Sequence, residues 1–132
     1  MSHIPASQKK ILLTHLDWNL QRLDEILKQG KTDYFKSAAL QRFGHAYTMS
    51  IKSINEFIDP KDRTEEIKDE ECIKLATKNG WNADPIKWHE MIKDYQRINQ
   101  NPDDQLTEVV YQKLPDYQQA MKSLYSKLKS LL

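Results

Sequence analysis

The sequence predicts an all-α fold, an antiparallel up-and-down bundle of four to five helices, and three observations predict it. Apolar residues recur at three- and four-residue spacing almost throughout, no stretch alternates as a strand would, and only three glycines interrupt 132 residues. Short connections between long amphipathic segments favour antiparallel neighbours. The length suits a single domain spanning residues 1–132, which buries roughly two-thirds of its unfolded surface.

The first helix is predicted from about Ser7 to Gln29, with Leu12, Leu16, Leu20, Leu23 and Leu27 as its stripe and Gly30 as its stop. The second runs from Asp33, read as the N-cap, to Phe57 or Ile58. Its inner face is Phe35, Ala39, Phe43, Tyr47, Ser50, Ile54 and Phe57, and Asp59-Pro60 ends it. The charged segment DPKDRTEEIKDEE, Asp59 to Glu71, reads as a solvated linker leading into a short third helix with Cys72, Leu75 and Ala76 inward. Asn79-Gly80 closes that helix. Asp84-Pro85 opens a fourth, an N-cap before a proline at the first helical position, with Trp88, Met91, Ile92 and Tyr95 on its apolar side. After the polar corner INQNPDD, one long stripe follows: Leu106, Val109, Val110, Leu114, Tyr117, Met121, Leu124, Tyr125, Leu128 and Leu131. Pro115 is expected to kink or divide this last helix.

Charge excludes some functions. Twenty Lys and Arg against nineteen Asp and Glu leave a net charge of +1, so no bulk field attracts nucleic acid or an anionic membrane, and any nucleic-acid contact would need a local patch. A single cysteine, Cys72, excludes an internal disulfide and suits a reducing cytoplasm, where it is expected to be a buried small apolar group. No apolar run approaches the roughly 20 residues that span a bilayer. A soluble, cytoplasmic protein is the expectation.

Three segments carry a resemblance: ALQRFGHAYTMSIKSINEFI (Ala39 to Ile58) with Gln41, Arg42, Phe43, Tyr47 and Lys52; ECIKLATKNGWNADPIKWHEMIKDY (Glu71 to Tyr95) with Trp88 and Met91; and LTEVVYQKLPDYQQAMKSLYSKL (Leu106 to Leu128) with Tyr111, Pro115 and Tyr117. In order and spacing they resemble the HEPN superfamily, nearest its branch of nucleotidyltransferase substrate-binding proteins, which are similar to HepT. The resemblance implies a helical bundle, a homodimer, a separately encoded minimal nucleotidyltransferase as partner and a possible nucleotide ligand. In active HEPN ribonucleases an Arg, four residues, a His, one residue and a Tyr follow the fourth helix. The Arg and His support phosphodiester cleavage. Holding Trp88 and Pro115 in register places Tyr95, Gln100 and Pro102 at those three positions. Starting from Arg97 does not restore them, because Pro102 then stands where the His belongs. The acidic residue that often follows the second-helix Phe is replaced by Gly44. The chain therefore keeps the outline of the motif without its acid, base or modifiable tyrosine, and is read as not an enzyme.

Other groups do not rebuild a site by spacing. His3, His15, His45 and His89 show no ligand pattern, and the run Glu65, Glu66, Asp69, Glu70 and Glu71 reads as a solvated loop and helix start, so no metal or cofactor is expected. Arg42 and His45, three apart, could share a helix face near the corner. Trp88 reads as core, and Trp81, in a turn beside Gly80, as the tryptophan that meets a ligand or partner. Tyr95, Gln96, Arg97, Asn99, Gln100 and Asn101 offer donors and acceptors at the corner, although a solvated turn capping two helices uses the same residue types. Lys122, Lys127 and Lys129 read as complements to the last helix dipole. Three functions follow: a non-catalytic substrate-binding or regulatory subunit of a minimal nucleotidyltransferase; a divergent ribonuclease using Arg42, His45 and Arg97; or a plain interaction module.

Overall fold

Proline is favoured at the first position of a helix because its missing N–H has no partner there in any case, and α1, Pro5–Leu27, starts on one. The computed structural model describes residues 5–62 and 67–132. His3, Glu65 and Glu66 lie outside them. α1 buries Leu13, Leu16, Leu20 and Leu23, whereas Leu12 and Leu27 are half-buried. Both sets satisfy helical periodicity, and packing selects the first. Gly30 is not a left-handed stop: α1 ends at Leu27 in a tightened turn, Lys28 N–H to Glu25 O at 3.3 Å and Gln29 N–H to Ile26 O at 3.1 Å.

α2, Asp33–Phe57, is capped by Thr32 rather than Asp33, with the Thr32 hydroxyl accepting from the Phe35 N–H at 3.2 Å. Asp33 instead occupies the first turn, where its charge suits the helix dipole. After a 3-10 turn at Pro60–Asp62 comes α3, Asp69–Lys78, which buries Cys72, Ile73 and Ala76; Leu75 is only half-buried. α4, Pro85–Gln100, is capped by Asp84 as expected, its carboxylate accepting from the Lys87 N–H at 3.0 Å. α5, Asp104–Lys129, is capped by Asp103 and runs unbroken through Pro115, which faces solvent. Val109 and Leu131, expected on its inner stripe, are 47% and 49% exposed.

Side-chain pairs give the directions. Lys9 lies over the Phe57 ring, so the start of α1 meets the end of α2 and the two are antiparallel. Lys36–Glu108 and the stacked Phe43–Tyr117 pair show α2 and α5 running the same way. Lys87–Asp116 and Asp94–Lys113 show α4 antiparallel to α5. The four long helices thus alternate in direction. Short α3 runs the way of α2, tied by the Tyr47 hydroxyl donating to Asp69 Oδ2 at 2.6 Å and by Cys72 Sγ near Ile51 O at 3.7 Å. Burial and the nearby Asp69 charge push the Cys72 thiol up to about 12, so it stays protonated and unreactive at neutral pH.

Candidate functional site: the crossing of α2 and α4

Phe43 and Tyr47 are one helical turn apart on α2, so both rings point into the bundle. Phe43 stacks on Tyr117 of α5 with centroids 5.6 Å apart, and Tyr47 stacks on Tyr95 of α4 at 4.2 Å. Phe43 also meets the edge of Tyr95 at 6.4 Å. Such offset and edge contacts add to the burial of each ring. Tyr95 passes close to residue 44, where a Cβ would lie 3.6 Å from its ring, an ordinary contact distance. The half-buried Tyr95 hydroxyl ends 3.4 Å from Thr48 Oγ1. Residues 44 and 95 are therefore in contact.

The crossing yields a direct test. A 3.6 Å contact is ordinary van der Waals distance, and an interior glycine costs a helix roughly 0.5–1 kcal/mol against alanine. Gly44→Ala is expected to raise the denaturant midpoint by about that energy. Gly44→Leu is expected to lower it by about 1–3 kcal/mol, because a branched chain and the Tyr95 ring compete for one space.

Successive helical residues are about 100° apart, so those two positions from a crossing residue point roughly 200° away from it. Arg42 accordingly turns from Gly44, and Arg97 from Tyr95; both are exposed without ion-pair partners among the described residues. Arg42 and His45 share a side of α2 by their three-residue spacing, and no hydrogen bond or ion pair joins either of them to Arg97 among the described residues. Gln41, His45, Thr48 and Lys52 share a ridge of α2 alongside Tyr95, by their i, i+4, i+7, i+11 spacing. Asn99 follows Tyr95 one turn later, but its amide is used locally, donating to Tyr95 O at 2.8 Å. Gln96, Gln100 and Asn101 are exposed, and the Asn101 N–H closes the helix on Arg97 O at 2.9 Å.

Trp81 corrects the sequence expectation. Gly80, at φ +76°, ends α3 with Gly80 N–H to Thr77 O at 3.0 Å and Trp81 N–H to Ala76 O at 2.9 Å. This double closure folds the following residue back onto the helix. Trp81 is therefore only 9% exposed and packs edge-on against Phe57 at 6.2 Å, while Trp18 is 63% exposed. Two features escaped the sequence reading. Asp94 is buried on α4, accepting from the Tyr117 hydroxyl at 2.5 Å and from Lys113 Nζ at 3.1 Å. A cleft of about 490 Å³ between the starts of α2 and α5 is lined by Asp33, Lys36, Ser37, Leu40, Asp104, Thr107 and Glu108. Asp94 could have been suspected, since it falls four residues below Ile98 and three above Met91 on the inner side of α4. The cleft joins segments some seventy residues apart, as Lys36 and Glu108 show, and nothing local signals it. Three carboxylates against one ammonium make it a poor seat for phosphate.

No group of three His, Cys, Asp or Glu among the described residues could hold a metal ion, and no described helix is long and apolar enough to cross a membrane. The fold defines the class: an all-α bundle, five α-helices among the described residues, in which aromatic rings of α2, α4 and α5 meet. The chain belongs to the family described as nucleotidyltransferase substrate binding protein like, whose model matches residues 12–130. It is similar in fold to ttk003001694, a Thermus thermophilus protein seen in a crystal structure, with a TM-score of 0.76 at 22% identity over 86% of this chain and 98% of that one. No curated protein matches the chain.

Proposed function

We propose that this chain is the non-catalytic substrate-binding subunit of a minimal nucleotidyltransferase, working as a cytoplasmic homodimer and binding nucleotide at the α2–α4 crossing. The observation that carries this reading is the Tyr95 ring seated over Gly44 and stacked on Tyr47. Where proton-transfer chemistry would need charged groups, the crossing presents a ring held in place, with Thr48, His45 and Lys52 beside it. One face of that ring is taken by Tyr47, so what it offers a ligand is its hydroxyl end beside Thr48, a pair of groups that can each donate and accept a hydrogen bond. The ribonuclease reading has less behind it, because no hydrogen bond or ion pair joins Arg42 or His45 to Arg97 among the described residues.

Capture from the native lysate tests the partner half of the proposal: a small nucleotidyltransferase in near-stoichiometric amount is expected, and its absence counts against the pairing. Calorimetry with the four ribonucleoside triphosphates, with and without that transferase, tests the ligand half. Tyr95→Ala is expected to weaken binding severalfold, about the 0.5–1.5 kcal/mol of one net hydrogen bond. No heat with any triphosphate would leave an interaction module without nucleotide binding.

A further inference from the structure

The rings between α2, α4 and α5 form one series of contacts with a carboxylate at each end. Asp94 accepts from the Tyr117 hydroxyl, Tyr117 stacks on Phe43, and Phe43 meets the edge of Tyr95. Tyr95 in turn stacks on Tyr47 at 4.2 Å, and the Tyr47 hydroxyl donates to Asp69 Oδ2 at 2.6 Å. Asp94 belongs to α4, the helix that carries Tyr95 itself. Asp69 enters from outside the cluster, in the first turn of α3. Three acids open that helix, Asp69, Glu70 and Glu71, and any of them would suit the positive end of its dipole. Their partners differ: Glu70 lies 3.5 Å from His89 on α4, Glu71 is exposed, and Asp69 alone among them reaches a ring. Tyr47 is 1% exposed, so its hydroxyl has no solvent to turn to, and a buried donor left unmet is costly. The phenol is therefore held to Asp69, and with it the ring on which Tyr95 lies.

We propose that Asp69 is a positioning residue for the Tyr95–Thr48 hydroxyl pair, acting through Tyr47. The two hydroxyl oxygens are 3.4 Å apart, at the outer limit of a hydrogen bond, so a small tilt of the Tyr95 ring makes or breaks their contact. Among the rings that touch Tyr95, Tyr47 is the nearer, its plane 26° from that of Tyr95, against an edge contact at 6.4 Å from Phe43. The tilt of Tyr95 thus follows Tyr47, and Tyr47 follows Asp69. Docking of α3 and placement of the hydroxyl pair become one event, and whatever displaces the start of α3 also releases the pair. This inference rests on the ligand half of the function proposed above for what the pair binds, but not for how the pair is held.

Nuclear magnetic resonance of chains carrying ring-labelled tyrosine tests it, with the Tyr95 signals assigned by their loss in Tyr95→Phe. Asp69→Ala is expected to shift the Tyr95 ring signals while helical circular dichroism is unchanged. It is also expected to weaken binding of the triphosphate that the wild type takes by about twofold to threefold, less than Tyr95→Ala does. Tyr47→Phe keeps the ring and removes the donor, so it is expected to act alike, and the two substitutions together are expected to do no more than either alone. Asp69→Asn keeps an oxygen that accepts and is expected to restore most of the wild-type signals. Glu70→Gln loosens a different tie of α3 and is expected to leave the Tyr95 signals in place. Unchanged Tyr95 signals in both Asp69→Ala and Tyr47→Phe would overturn the proposal. An equal shift in Glu70→Gln would overturn it as well, because the cause would then be a loosened α3 and not the Asp69–Tyr47 bond. If no triphosphate binds the wild type while the Tyr95 signals still follow Asp69, the positioning stands and the nucleotide reading falls.

Discussion

Phe43→Ala is expected to cost about 3–5 kcal/mol of unfolding free energy, the range for truncating a buried phenylalanine. Phe43 is 0% exposed and touches three rings from three helices: Tyr47 at 6.2 Å, Tyr95 at 6.4 Å and Tyr117 at 5.6 Å. Its removal leaves a cavity at the point where α2, α4 and α5 meet, and rigid helices cannot close such a gap without losing contacts elsewhere. Urea unfolding checks the energy. The same variant unseats the edge contact of Tyr95, so nucleotide affinity is expected to fall with stability, even under conditions where the chain remains folded. A loss below about 1 kcal/mol, no more than an average substitution, would show that the three helices re-pack and that the crossing is not rigid.

Asp94→Ala is expected to cost about 2–4 kcal/mol. Asp94 is 3% exposed and accepts from both the Tyr117 hydroxyl and Lys113; truncation leaves the phenol buried without its acceptor and deprives the ammonium of a carboxylate. Lys113 keeps Glu90 at 2.9 Å and is one-third exposed, which keeps the loss below that of a fully buried broken pair. Asp94→Asn retains an acceptor and is expected to lose less. The network also sets a pH dependence. Burial and the hydrogen bond to Asp94 raise the Tyr117 phenol above its ordinary 10.0, and burial with the bond to Asp69 raises Tyr47 likewise. Lys113, although desolvation opposes it, is raised from 10.5 by its bonds to Glu90 and Asp94. In each case the folded chain holds the proton more tightly than the unfolded one. The contribution of these three groups is therefore fully present below about pH 10 and is lost as pH rises beyond it. Denaturant midpoints through the alkaline range check the sign, and Tyr117→Phe is expected to flatten the decline.

Much of the bundle was legible in the sequence because helix signals are local. Asp84-Pro85 opened α4 and Asn79-Gly80 closed α3 as expected, since capping requires only neighbouring atoms. The apolar stripes located five helices, and Cys72 and Trp88 proved buried. Candidate site residues were less legible. Tyr95 proved to join the aromatic cluster of α2 and α5, which no local signal announced, because its partners Phe43 and Tyr47 lie some fifty residues earlier in the chain.

By itself the sequence determined that the chain is helical and where most helices begin and end. Periodicity and capping act over four residues, within one element, and need no partner to be read. Only the tertiary structure decided which of Leu12 and Leu13 faces inward, that Trp81 folds back onto α3 while Trp18 stands in solvent, and that Gly44 and Tyr95 meet. Those outcomes depend on which surfaces other helices cover, through contacts between residues tens of positions apart, and one helix's own periodicity admits either choice.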